Sequence, residues 1–142
     1  MEKLPPIEKV FEAWTALADN RVSLGNGEAT VKSSDGAKEY TVKFRDDLFS
    51  SDDNASFWRG YTGYPVIAVL MLQGRLPYDK EEALLWKDVN WKALNTKYRN
   101  RYAEAVKEVA LERDIDMQKA NSSAEAVMTA LKSLPIVIKR KI

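Results

Sequence analysis

Seven consecutive apolar residues, 66–72, follow Pro65 and are closed off by Gly74 and Pro77. No other stretch of the chain is apolar on every side, so the fold has to place this one innermost and pack the remaining elements around it. Its period is ambiguous. A short apolar run containing Val66, Ile67 and Val69 suits a buried strand. Proline at the start and glycine just past the end are helix punctuation, because the first helical amides lack partners and the last turn needs a left-handed residue. The second signal has a mechanism behind it and decides for a helix.

The segments on the N-terminal side show two different periods. Ile7, Val10, Phe11, Trp14, Leu17 and Ala18 recur at three and four residues, one face of a helix entered through Pro5 and Pro6 and left at Asp19 and Asn20. Its Phe and Trp read as core. The period then falls to two. Asn26-Gly27 and Asp35-Gly36 are turn signals, and between and beyond them Ala29 and Val31, then Tyr40, Val42 and Phe44, alternate with polar residues. This predicts strands at 28–33 and 38–45 with one buried and one wet face, and Val22–Leu24 adds a short third. Gly25-Asn26-Gly27 lacks the third glycine and following helix of a phosphate loop, so a hairpin turn accounts for it.

On the C-terminal side, Asp79 is placed to cap a helix, with Glu82 three residues on reaching back to the cap amide. Residues 90–113 then read as the longest helix, about 36 Å at the usual rise per residue. Ser122-Ser123-Ala124-Glu125 has the form of a capping box. It opens a helix carrying Ala124, Val127, Met128, Leu131 and Leu134 and stopped by Pro135, and Ile136-Val137-Ile138 suits an edge strand. The expected architecture is a single α+β domain over residues 1–142. It comprises a small antiparallel β-hairpin or three-stranded meander packed against a helical layer of about five helices.

Composition narrows function mainly by exclusion. The chain of 142 residues has no cysteine, which removes thiolate chemistry, disulfides and the usual structural zinc sites. It has no histidine, the commonest general base at neutral pH and the commonest transition-metal ligand. With 22 basic and 21 acidic residues, a net charge of +1, no bulk field draws it to nucleic acid or anionic lipid. The N-terminus has no apolar leader, and the apolar run falls far short of the roughly 20 residues a membrane span needs. A cytoplasmic protein with no membrane partner and no cofactor is expected.

Three groups of residues are candidates for a site. Trp58, Arg59, Tyr61 and Tyr64 lie among glycines in an aromatic loop. Such a loop either lines a pocket for a small molecule or protein partner, with Arg59 supplying a cation, or seals one end of the core with its rings. Asp46, Asp47, Asp52 and Asp53 put four carboxylates within eight residues, 46–53. They suggest a divalent-ion enzyme, but their spacing departs from the calcium-loop pattern, and a solvated acidic loop is the simpler reading. Finally, Lys92, Lys97, Arg99 and Arg101, with Lys139, Arg140 and Lys141 at the C-terminus, are interleaved with Trp91, Tyr98 and Tyr102 in the manner of a nucleic-acid reader. In one continuous helix those aromatics fall within an arc of roughly 80° and point inward, which disfavours base stacking. No nucleophile elbow, phosphate cradle or metal-ligand spacing is present, so a binding module with no chemistry of its own is the leading expectation.

Overall fold

The computed structural model describes residues 3–142. Helix α1 (Glu8–Ala18) is followed by strands β1 (Val22–Leu24), β2 (Glu28–Lys32), β3 (Glu39–Arg45) and β4 (Leu48–Ser51). A single π-helical turn, Ala55–Arg59, leads into α2 (Tyr64–Leu72). Helices α3 (Lys80–Leu84), α4 (Trp91–Lys97), α5 (Tyr102–Arg113) and α6 (Met117–Ser133) then precede a short strand, β5 (Val137–Ile138). The layout is α+β, as expected.

The apolar run is the helix α2, and residues 66–71 are 0–3% exposed. Only its last residue, Leu72, departs from the expected burial, at 41% exposed. Gly74 adopts φ 75°. Its N–H donates to the Met71 carbonyl at 3.1 Å and that of Arg75 to the Leu70 carbonyl at 2.9 Å, which pairs the final carbonyls of the helix. α2 touches the sheet through β1, β3 and β4 and touches α1 on another side, while α1 in turn meets α3, α5 and α6. α1 is therefore buried around its whole circumference: residues 9–17 are all buried, including the polar Lys9, Glu12 and Thr15. Thr15 is satisfied internally, its hydroxyl donating to the Trp86 carbonyl at 2.6 Å and accepting the Trp91 indole N–H at 2.8 Å. Rings of Phe11, Trp14, Trp86 and Trp91 pack edge-on and stacked along this side.

The strands form one sheet in the order β1-β2-β3-β4-β5, antiparallel through β4, with β5 parallel to β4. Register places Val31 opposite Tyr40, Ala29 opposite Val42 and Phe44 opposite Phe49 on the inner face. β4 corrects the sequence reading of an acidic loop. Asp46 takes φ 53°, so Asp46 and Asp47 make a tight turn, and Phe49 comes back fully buried against Phe44. Aspartate tolerates that left-handed conformation better than most residues.

Two helix boundaries are also corrected. The predicted continuous helix over 90–113 is broken between α4 and α5, where Arg99 and Asn100 both have positive φ, 53° and 63°. The Arg99 N–H reaches the Thr96 carbonyl at 3.2 Å and the Asn100 N–H the Asn95 carbonyl at 2.7 Å, a helix stop made without glycine. α6 begins before the predicted capping box: Asp116 accepts the N–H groups of Gln118 and Lys119 at 3.0 and 3.3 Å, and Ser122 and Ser123 lie inside the helix. Asp79 caps α3 as expected, accepting the Glu82 N–H at 3.0 Å. The Glu82 side chain does not reach back. It is 2% exposed, and burial pushes its carboxyl above the usual range, with the nearby Trp86 indole N–H opposing. No helix among the described residues is long and apolar enough to cross a membrane.

Candidate functional site

At one end of the sheet, α1, the loop between β2 and β3, the π turn and α4 line a half-open cavity of about 250 Å³. Its position follows from the strand pattern. Tyr40 is on the inner face of β3 but at its start, where it meets Tyr64 at the first position of α2, and Ser51 ends β4 at the same end with Asp53 just beyond it. The apolar filling stops and polar side chains take over.

Asp53 builds the wall. Its carboxylate accepts the Ser51 hydroxyl and, at 3.1 Å, the Ser56 N–H, while the Ser56 hydroxyl accepts the Gly63 N–H at 3.1 Å. The chain at Gly63 passes so close that a Cβ there would lie 2.0 Å from Asp53 Oδ2. Glycine is needed for this approach and not for its backbone angles, since its φ is an ordinary −73°. Between these two anchors runs the π turn, a conformation frequent at functional sites, ended by Gly60 at φ 72°.

The floor is an ion pair contributed by α1. Lys9 Nζ and Glu12 Oε2 are 3.0 Å apart, three residues along the helix, and both side chains are nearly buried. Burial raises the Glu12 carboxyl above its usual range, with Lys9 opposing. Burial also works against the charge on Lys9, but Glu12 and Tyr102 outweigh it and hold its pKa above the ordinary value. The ammonium sits 4.2 Å from the centroid of the Tyr102 ring, a cation–π contact. Tyr40 and Tyr64 meet edge to face at 6.2 Å, and burial raises both phenols, which therefore stay protonated and able to donate at neutral pH. Arg59 and Lys92 border the cavity from the π turn and α4, and Asn95, Thr96 and Asn100 complete the helical side.

Of the four residues singled out in the aromatic loop, Arg59, Tyr61 and Tyr64 line this cavity and Trp58 does not. Trp58 is 66% exposed and packs against Phe57, with the Arg140 guanidinium 5.3 Å from its ring. The basic residues divide between different surroundings. Lys92 is at the cavity, and Lys97 is paired with Glu108, which also accepts the Tyr98 hydroxyl at 2.8 Å. Arg99 occupies the left-handed break, and Arg101 Nε donates to the Tyr98 carbonyl at 3.0 Å. Lys139 bonds β4 through its backbone N–H, while Arg140 and Lys141 border a second cavity, of about 480 Å³, with the outward-facing Thr41 and Lys43.

The four aspartates are likewise dispersed. Asp46 and Asp47 form the β3–β4 turn, where Asp47 pairs with Arg75 at 2.6 Å. Asp52 accepts the Thr41 N–H at 2.8 Å and Asp53 is committed to the wall. Among the described residues no three carboxylates gather where they would hold a metal ion. Lys9 and Glu12 escaped the sequence reading because they fall on the polar side of α1, which looks wet until Tyr102 of α5 and the far wall of the cavity come over it.

The chain belongs to the family described as uncharacterised conserved protein UCP014422, whose pattern matches residues 2–137. No curated protein and no solved structure matches it.

Proposed function

We propose that the protein is a small cytoplasmic binding module, and that its ligand is a small molecule held in the cavity over Lys9 and Glu12. The observation that carries this reading is the buried ion pair itself. Taking two charges out of water costs several kcal/mol per ion, and replacing such a pair by apolar residues of similar volume is often neutral or stabilising. Packing alone gives α1 no reason to keep Lys9 and Glu12 at the floor of a polar cavity. Recognition does. Arg59, Tyr61 and Tyr64 from the loop, with Tyr40 from before it and Tyr102 from after it in the sequence, converge on the same space. Nucleic acid is the less favoured partner, because the basic residues are divided between two cavities and Lys97 is already paired.

The test is a thermal-shift screen of small polar metabolites against the native chain and the double variant Lys9→Met/Glu12→Leu. Compounds that raise the native melting temperature are expected to leave the equally folded variant unmoved. Equal shifts in both proteins, or no stabilising compound at all, would remove the cavity from consideration.

A further inference from the structure

The lining of the cavity narrows the chemistry of its ligand. Every lining residue except Ala55 and Gly63 presents a polar side-chain group. An apolar ligand would strip water from those groups not already paired within the protein and return no hydrogen bonds, at about 1–3 kcal/mol for each one left unpaired. The volume of about 250 Å³ lies between the roughly 150 Å³ that accepts a benzene ring and the roughly 300 Å³ at which drug-sized pockets begin. A compact, hydroxylated body fits both limits.

Charge adds the second constraint. The lining holds three cations, Lys9, Arg59 and Lys92, and two acids, Glu12 and Asp53. Both acids are committed, Glu12 to Lys9 and Asp53 to Ser51 and Ser56. Arg59 and Lys92 form no ion pair among the described residues; Lys92 has a small share in holding the Asp35 carboxyl below its usual range, behind the Ala37 N–H and the Ser33 hydroxyl that bind it. Two cations without an ion-pair partner among the described residues therefore border a space lined by four tyrosines, Tyr40, Tyr61, Tyr64 and Tyr102.

Building on the proposed reading of this cavity, we infer that its ligand is a small hydroxylated anion, about the size of a monosaccharide, whose carboxylate or phosphate is held by Arg59 and Lys92. The guanidinium suits either group through paired N–H donors, and the ammonium adds a point charge. The hydroxyls of the body face Tyr40, Tyr102 and the Lys9/Glu12 pair, which offers both a donor and an acceptor.

Calorimetric titration with matched probes tests this: ribose 5-phosphate against ribose, gluconate against glucose, and inorganic phosphate alone. At least one anionic member is expected to bind tenfold or more tightly than its neutral partner and than free phosphate. That preference is expected to disappear in Arg59→Ala/Lys92→Ala, and the phosphate and carboxylate arms tell the two anions apart. Neutral sugars binding as well as their anions, a preference that survives the double variant, or phosphate binding as tightly as the sugar phosphate would each overturn the inference. If these probes fail while the metabolite screen yields a cavity ligand of another class, the inference falls and the binding reading stands. If the screen also yields nothing, both fall.

Discussion

Gly63→Ala is the most demanding test of the cavity wall. The added methyl would stand 2.0 Å from Asp53 Oδ2, 2.9 Å from its Cγ and 3.2 Å from the Ala55 Cβ. Backbone strain is not involved, because Gly63 has an ordinary extended conformation. The carboxylate has to move, and it is buried and tied to the Ser51 hydroxyl and the Ser56 N–H. Losing two hydrogen bonds to a charged group costs about 1.5–3 kcal/mol each. If only one is lost and the rest is taken up as overpacking of about 1–3 kcal/mol, the variant is destabilised by about 2.5–6 kcal/mol. In the Asp53→Ala background the obstacle is gone, so Gly63→Ala should cost less than about 1 kcal/mol there, leaving a coupling above about 1.5 kcal/mol. Urea midpoints of the four proteins in this cycle measure it. A Gly63→Ala cost under 1 kcal/mol in the native background, or additive costs, would show that the wall is not built as described.

Other perturbations follow from single features. Arg99→Gly should stabilise the chain by about 0.5–1 kcal/mol, since glycine relieves a left-handed residue that costs an L-amino acid about 1–2 kcal/mol and gives back part of that in chain entropy; an unchanged or lower urea midpoint would contradict the helix stop at this position. Asp116→Ala should cost about 1 kcal/mol by uncapping α6, whereas Ser122→Ala, inside the helix, should cost less than about 0.5 kcal/mol; the reverse order would restore the capping box. Burial raises the Glu82 carboxyl, so the folded state holds its proton at pH values where the unfolded chain has released it. The stabilisation is full below the unfolded pKa and is lost as pH rises through the folded one. Glu82→Gln should therefore match the native chain at pH 4 and gain on it toward pH 8; a gap that stays constant with pH would refute this. Trp58→Ala, at an exposed ring outside the cavity, should leave the melting temperature and any cavity ligand nearly unaffected.

What the sequence made legible was what local chemistry decides. Pro65 and Gly74 bracketed α2, and Asn26-Gly27 and Asp35-Gly36 set the hairpins, because each signal acts within a few residues. The features it hid depend on partners far along the chain. β4 was masked by aspartates that serve as its turn and as the first anchor of the wall. The break after α4 was invisible because an arginine, not a glycine, takes the left-handed position. The site was half legible. Arg59, Tyr61 and Tyr64 stood out as an aromatic loop, but Lys9 and Glu12 looked like the wet side of an amphipathic helix, and only the packing of later helices buries them.

The central claim is that the cavity over the Lys9/Glu12 pair is where a ligand sits, and amide chemical-shift mapping with a compound that stabilises the protein tests it most directly. Shifts concentrated at Ser33, Ser34, Gly63 and Asn95, with Thr41 and Lys43 on the outer face unmoved, are the predicted result. Shifts confined to Thr41, Lys43 and Arg140 while the cavity amides stay silent would contradict it.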